Sequence, residues 1–366
     1  MKSHKTYKYK LRLTKVQENT FDSYINTCRY VFNVALEGRV LAYKMRNKSV
    51  SRFDQYKELT DAKKEFPFIS EVHSDVLQEA LDRVDKSYAN FFIGSGFPRF
   101  AKKGEYNSFT YKRKFEIHRG YIKLPKIGNV KYFNSRPVQG LPKIATIIKE
   151  GNNFFISIVC EIDVPDVVVN GSYPIGIDVG IAKFAYLSNN TSIETPLFLQ
   201  PNLAKLRRLQ RKLHRQVKGS GSREKTKQKI FTLHRKIINS RLDFLHKEST
   251  KIANEFSSCY IEDLKLLNMV KLNSTLSRKM LDSGFGTFKE LLIYKFKERG
   301  KHLGLVNPAY TSQTCSECFS VDKKSRLSQS EYACTSCGHV ENADLNASKN
   351  IMRKGISQST KAQALA

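Results

Sequence analysis

Residues 5–13 alternate in character, with Tyr7, Tyr9, Leu11 and Leu13 on one face and Lys8, Lys10 and Arg12 on the other. A period of two predicts a half-buried strand with a cationic outer face. From Val16 to Phe92 the apolar period lengthens to that of a helix. Val76, Leu77, Ala80, Leu81, Val84, Tyr88 and Phe91 recur at spacings of three and four behind Ser74, the expected N-cap. Gly94, Gly96 and Pro98 end that pattern. Between about Phe109 and Val164 alternation returns in Phe154, Ile156 and Ile158, with Gly128, Gly140 and Gly151 as turn points. The first strand and this later stretch are expected to form one barrel-like sheet, with the helices of 16–92 inserted as a separate subdomain.

Pro165 to Pro174 reads as a linker, and Ile175 to Ser188 as two strands joined at Gly180. Residues 202–256 are helical in pattern, broken at Gly219–Ser222, with Leu203, Leu206, Leu209 and Leu213 as a packing seam. Cys259–Ile261 predicts a short buried strand, Gly286 to Arg299 a helix, and Leu305-Val306 another brief strand. The last residues, Ile356 to Ala366, are small and polar and are expected to fray.

Charge narrows the function. The 366 residues carry 63 Lys+Arg against 34 Asp+Glu, a formal net charge of +29. So cationic a chain repels itself when compact, and a polyanionic partner is the simplest reason for it. That disfavours most small-molecule enzymes. No run of about 18 apolar residues predicts a membrane span. The basic N-terminus lacks the apolar stretch of a secretory signal, so a reducing, cytoplasmic, nucleoid-associated setting is expected. The excess is uneven: Lys205 to Lys251 hold sixteen Lys/Arg against Glu224, Asp243 and Glu248, a net +13. Lys205, Arg207, Arg208, Arg211, Lys212 and Arg215 are candidate phosphate contacts. Lys8, Lys10 and Arg12, and Lys112 with Arg113 beside Phe109 and Tyr111, are further candidates.

Seven cysteines divide into two groups. Cys28, Cys160 and Cys259 stand singly and read as small buried hydrophobes. Cys315-x2-Cys318 and Cys334-x2-Cys337 have the paired spacing of a four-thiolate zinc site, with no open position left for catalysis. Gly338 suits the tight turn after Cys337, and His339 is read as a surface residue rather than a ligand.

Three acids stand out against this basic background. Asp178 lies in Ile175-Gly-Ile-Asp-Val-Gly180, where alternation puts it on the face of Gly176 and Gly180. Glu262 ends the strand Cys259-Tyr260-Ile261, and alternation points Asp263 the opposite way. Asp344 falls in the first turn of a short helix after the cysteines. Three carboxylates from two strands and a helix can hold two divalent ions about 3.5–4 Å apart, one to activate water and one to stabilise the leaving 3′ oxygen of a phosphodiester. Magnesium fits, because it takes few carboxylates and keeps waters and phosphate oxygens as its other ligands.

In order, Gly176-Ile-Asp-Val-Gly-Ile181, Ile261-Glu-Asp-Leu-Lys265 with Asn268-Met269, Tyr310-Thr-Ser-Gln-Thr-Cys315, and Asp344-Leu-Asn-Ala347 with Asn350-Ile351 resemble the motifs of the TnpB family. These are RNA-guided DNA endonucleases encoded by bacterial insertion sequences and related to the type V CRISPR effectors. Arg29 to Asn33, Phe91-Phe92 with Gly96-Phe-Pro-Arg-Phe100, and Leu124-Pro-Lys-Ile-Gly128 extend the resemblance over residues 5 to about 353. It implies an α/β and α+β multidomain chain, with an RNase H-like (RuvC) nuclease core, an inserted zinc ribbon, and an N-terminal β-barrel wedge domain carrying a helical recognition lobe. The boundaries that follow are 1–15 with 94–173 for the wedge, and 16–93 for the recognition lobe. The nuclease takes 174–310 and 341–354, the ribbon 311–340, and a disordered tail 355–366. Asp178, Glu262 and Asp344 match the family's catalytic, magnesium-binding acids, and Cys315, Cys318, Cys334 and Cys337 its zinc ligands. The implied partners are a guide RNA from the transposon end and double-stranded DNA recognised beside a short motif, with helices 202–256 along the guide–target heteroduplex. One departure is Asn342-Ala343, where many members have an acid and a basic residue. Two rival functions share these residues: an RNA-guided repressor that does not cut, which the retained triad disfavours, and a transposase or resolvase acting without RNA.

Overall fold

The computed structural model describes residues 2–164, 173–264 and 280–364, with side chains described as far as Thr360 at the C-terminal end. Most of the expected linker, Lys265 with Asn268-Met269, and the last two residues lie outside these. The chain divides into two compact units, Lys2–Asp163 and the part from Val164 onward.

The first unit runs β1 (Lys2–Arg12), α1 (Lys15–Arg46), α2 (Arg52–Glu65), α3 (Pro67–Ser70), α4 (Ser74–Phe92), β2 (Ser108–Tyr111), β3 (Glu116–His118), β4 (Tyr121–Leu124), β5 (Gly128–Tyr132), β6 (Leu141–Glu150) and β7 (Asn153–Asp163). Its seven antiparallel strands are ordered β2-β6-β7-β1-β5-β4-β3, so β2 and β3 are the edges. As the alternation predicts, β1 buries Tyr7, Tyr9 and Leu11 and exposes Lys8, Lys10 and Arg12. Thr14 begins α1 with a capping box to Gln17. The cap of α4 is His73, one residue before the expected Ser74, its Nδ1 accepting the Asp75 N–H at 3.2 Å.

Helices and sheet share one core here, where a separate helical subdomain was expected. Phe21 of α1 meets Phe109 of β2 and Phe154 of β7 edge-on, each at 5.4 Å between ring centroids, and Val76, Leu77 and Val84 of α4 join the same cluster. The apolar face of the sheet needs a cover, and the amphipathic helices supply it.

The second unit contains β8 (Ile175–Val179), β9 (Lys183–Leu187), β10 (Ser192–Glu194), α5 (Leu203–Arg215), α6 (Gly221–Glu255), β11 (Ser258–Glu262), α7 (Phe285–Glu298), β12 (His302–Val306), β13 (Glu331–Ala333), β14 (Val340–Asn342) and α8 (Ala343–Ala364). A five-stranded sheet has the order β10-β9-β8-β11-β12. Its β8–β9 and β9–β10 pairs are antiparallel, whereas β8–β11 and β11–β12 are parallel. Helix α7 packs Phe288, Leu292 and Phe296 into a core with Ile175, Ile177 and Phe184. The segment expected to fray from Ile356 instead continues α8 to Ala364. It contains no proline, its Gln, Lys and Ala favour helix, and Ser359 and Thr360 bond back to the carbonyls of Gly355 and Ile356.

Gly176 explains how α8 reaches the sheet. A Cβ there would lie 2.1 Å from the Ser348 carbonyl oxygen and 2.7 Å from the Met352 nitrogen. Only a bare backbone lets the helix cross β8 so closely. Gly176→Ala is expected to cost about 1–3 kcal/mol by overpacking. A urea midpoint equal to that of the parent protein would contradict this packing.

Candidate functional site

The register of β8 and β11 brings two of the acids together. Cys259 pairs with Ile175, Tyr260 with Gly176 and Ile261 with Ile177 in a parallel ladder. One step further on each strand stand Asp178 and Glu262, at neighbouring C-terminal strand ends. Gly176 and Tyr260, two residues before them, both face α8: the Tyr260 ring also lies against Gly355. Asp178 and Glu262 therefore point to the helix side. Asp344 arrives from the first turn of α8, where the Asn342 side chain accepts the N–H groups of Asp344 and Leu345 at 2.9 and 3.2 Å. Asn342, the departure from the family pattern, thus caps the helix that presents the third acid.

All three carboxylates line one cavity of about 370 Å³, together with Thr311, Arg326 and Gln329. Thr311 donates its hydroxyl to Glu262 Oε1 at 2.5 Å, and Arg326 Nη2 lies 3.3 Å from Asp344 Oδ1. Burial first, then the charges of Glu262 and Asp344, hold the Asp178 carboxyl well above the ordinary carboxylate range. Burial also raises Glu262 and Asp344, opposed by the Thr311 hydroxyl at the former and by Arg326 at the latter. Like charges crowded in a half-dry cavity favour a proton or a cation, and three hard oxygen donors suit a divalent ion. Asp263 does point away, exposed and 3.0 Å from Lys289.

The four paired cysteines form a second centre. Their sulfurs all lie within 4.8 Å of one another, the only such group of ligand atoms among the described residues. Cys315–Cys337 and Cys318–Cys334 are 3.7 and 3.6 Å apart. A tetrahedron with metal–sulfur bonds of about 2.3 Å has sulfur–sulfur edges of about 3.8 Å, so the donors fit such an ion. Each Cys-x2-Cys turn is followed by a left-handed residue, Phe319 (φ 66°) and Gly338 (φ 74°). Glycine adopts that conformation freely; Phe319 has the Arg353 guanidinium over its ring at 3.6 Å. Above all the N–H of Cys337 lowers the Cys334 thiol, whereas at Cys337, against the pull of the His339 backbone, the thiols of Cys318, Cys334 and Cys315 act to raise it. The crowded sulfurs thus share their protons unevenly until a metal displaces them. Cys28, Cys160 and Cys259 are buried, as expected of lone cysteines.

Helix α8 ties the two centres together. Asn346 accepts the Ser316 N–H and donates to the Thr314 carbonyl, both at 2.8 Å, and Asn350 donates to the carbonyls of Thr311 and Thr314. The stretch from Asp344 to Asn350 therefore serves both: its acid enters the cavity and its two asparagines hold the cysteine module.

Family models agree with this arrangement. One described as a probable transposase (OrfB_IS605) matches residues 157–273, and one described as a Cas12f1-like TNB domain matches residues 285–351. A protein of Escherichia coli (strain K12), provisionally named RNA-guided DNA endonuclease InsQ, is 36% identical over 97% of this chain and 93% of its own length. The chain belongs to the TnpB family. A Streptomyces pristinaespiralis protein, provisionally named an RNA-guided DNA endonuclease, is 32% identical over 97% of the chain and 90% of its own length. In fold, a Cas12f1–sgRNA–target DNA complex solved by cryo-EM matches with a TM-score of 0.63 at 14% identity, covering 93% of this chain and 83% of that one. A third model, described as a helix-turn-helix domain, matches residues 1–48. In this TnpB chain that stretch is a strand and one unbroken 32-residue helix.

The cationic candidates of this TnpB chain fare unequally. Lys112 is consumed internally, its Nζ bridging Glu79 at 2.5 Å and Asp82 at 2.6 Å, because α4 presents both acids to it. Lys8 pairs with Glu150 and lies over the Phe155 ring, and Arg12 lies over Phe133. Lys10 is exposed, and Arg113 is exposed with Asp75 3.9 Å away. Lys205, Arg207, Arg208, Arg211, Lys212 and Arg215 are all exposed on α5, which packs Leu206 and Leu209 against Leu233 and Ile237 of α6. Arg208, Arg211, Lys212 and Arg215 line one shallow groove. Arg208, Arg211 and Arg215 changed together to Gln should lower the salt dependence of RNA binding, by about 0.7–0.9 in log–log slope per lost phosphate contact. A titration with an unchanged slope would remove this groove from the interface.

Thr311 and Arg326 escaped the sequence reading as members of the cavity. Thr311 sits in the Tyr310-to-Cys315 motif, whose sequence marks only the entrance to the cysteine module. Arg326 closes the run Lys323-Lys-Ser-Arg326, which reads as a solvated charge cluster until folding turns it toward Asp344.

Proposed function

We propose that this chain is an RNA-guided DNA endonuclease of an insertion sequence, cutting target DNA beside a short motif by RuvC-type phosphodiester hydrolysis. The observation that carries the reading is the convergence of Asp178, Glu262 and Asp344 from β8, β11 and α8 in one cavity. The strand order, three antiparallel strands continued by two parallel ones, supports an RNase H-like core. The seven-stranded antiparallel sheet supports a wedge-type domain in the first unit.

Asp178, Glu262 and Asp344 would hold the magnesium ions, which supply positive charge for water activation and for the leaving oxygen. Thr311 fixes the Glu262 carboxylate by its hydrogen bond. The Asn342 cap fixes the first turn of α8, and with it Asp344. Arg326 offers a guanidinium at the cavity wall, where a phosphate of the substrate strand would meet it. Cys315, Cys318, Cys334 and Cys337 would hold one zinc ion as a structural staple. The excess of basic groups on α5 and α6 supports contact with a nucleic-acid backbone without sequence reading.

The decisive experiment is purification of the protein with RNA expressed from its native locus, followed by magnesium-dependent cutting of a supercoiled plasmid carrying the RNA-matched target. Cleavage that disappears when the RNA is degraded before assembly supports the reading. Target binding without cleavage would favour the repressor, and cleavage without RNA the transposase-type nuclease.

A further inference from the structure

The end of α4 and the loop after it leave a set of aromatic rings in solvent. Phe92 is 78% exposed, Phe97 51% and Phe100 53%, although large apolar side chains normally turn inward. They are firmly held. Helix α4 ends in a Schellman motif: the Ser95 N–H bonds to the Asn90 carbonyl and the Gly94 N–H to the Phe91 carbonyl, both at 3.0 Å, with Gly94 at φ 99°. Phe97 folds back edge-on to Phe91 and Tyr88, with centroids 5.3 and 5.9 Å apart, and Phe92 lies 5.4 Å from Phe91. Beyond Phe100, Ala101 is clamped by Asn33, which accepts its N–H at 2.8 Å and donates to its carbonyl at 3.1 Å.

Charge identifies the occupant. From Lys86 to Lys103 the chain has four Lys/Arg and no acid. Arg99, Lys102 and Lys103 are exposed, and among the described residues no carboxylate forms an ion pair with their side chains, Glu105 accepting only the Lys102 backbone N–H at 3.2 Å. Such a surface repels a second copy of itself across a two-fold axis, since cations would face cations. Rings with free faces beside unneutralised cations suit a strand that offers unpaired bases and phosphates together. A duplex keeps its base faces covered.

We propose that Phe92, Phe97 and Phe100, with Arg99, Lys102 and Lys103, form a stacking platform for the unpaired bases of a single-stranded nucleic acid. The inference depends on neither cleavage nor a loaded guide, so it is tested on the full chain in EDTA. The probes are short single-stranded RNA and DNA oligonucleotides of one sequence carrying 2-aminopurine, with the matching duplex as control. The parent protein should quench the 2-aminopurine emission of a single strand. F92L combined with F100L keeps apolar bulk but removes two flat faces. It should abolish that quenching and weaken single-strand binding at least about tenfold for each lost base stack, while duplex binding stays unchanged. The RNA and DNA arms distinguish which strand the platform prefers. Because Phe92 and Phe100 are exposed, thermal melting should not change; a variant that melts early is replaced by F92L alone, read by the same quenching. Unchanged quenching, an equal loss on duplex, or a parent dimer that F92L dissociates would each overturn the proposal.

Discussion

Asp178→Asn is expected to lower DNA cutting by at least about a thousandfold and, in the same molecule, to raise the melting temperature of the metal-free protein. The first effect follows if this carboxylate helps hold charge worth several kcal/mol to the transition state. The second follows from its surroundings. Burial and the neighbouring Glu262 and Asp344 raise the Asp178 carboxyl in the folded state, whereas the unfolded chain leaves it near its ordinary 3.8. The folded state then binds the proton more tightly, so stability without metal falls as pH rises from about 4 through the elevated folded value. Glu262 and Asp344 shift in the same direction and add to the slope. An uncharged amide of the same shape removes one of three crowded charges. Magnesium should raise the melting temperature of the parent protein much more than that of the variant. Cleavage by the variant would remove Asp178 from the chemistry. A variant melting below its parent in EDTA would remove the electrostatic account and leave the catalytic one standing.

Cys334→Ser, or stripping the thiolate-bound metal with a strong chelator and then restoring magnesium, is expected to abolish cutting although none of the four sulfurs enters the cavity. Structural zinc contributes on the order of 10 kcal/mol to small domains that depend on it. The module here has little else, since its buried cluster is Cys315, Tyr332, Cys334 and Ala343. Its loss would free the carbonyls of Thr311 and Thr314 that hold Asn346 and Asn350, and would release both Thr311 and Arg326 from the cavity. Limited proteolysis should then nick residues 311–340, while Lys2–Asp163, a separate unit, resists as before. Full activity after loss of the thiolate-bound metal, measured with magnesium restored, would show that the cavity forms without the staple.

Residues whose role is local were legible in the sequence. Alternation revealed the β1 face and the direction of Asp178, and paired spacing revealed the four cysteines. What stayed hidden depends on residues distant in sequence. Gly176 reads as a flexible spot near an acid, and only the crossing of α8 shows it to be a site of closest approach. Lys112 has the character of a phosphate ligand until α4 brings Glu79 and Asp82 to it. Arg326 and Thr311 acquire roles through a module whose register no periodicity announces. The helices of 16–92 look independent because their own pattern is complete, yet their buried faces belong to the core of the sheet.

The joining of β8 to α8 also fixes an order in time. The contact from Ser188 to Met352 spans 164 residues, and Gly176 waits for Ser348 before its side of the sheet is covered. During synthesis, the unit from Lys2 to Asp163 has all its strands and helices long before Asp344 is made. From residue 262 until residue 344 a growing chain thus carries two of the three acids with no third to complete them. The protein is born with a finished first half, and the cavity of the three acids closes only once the start of α8 has been made.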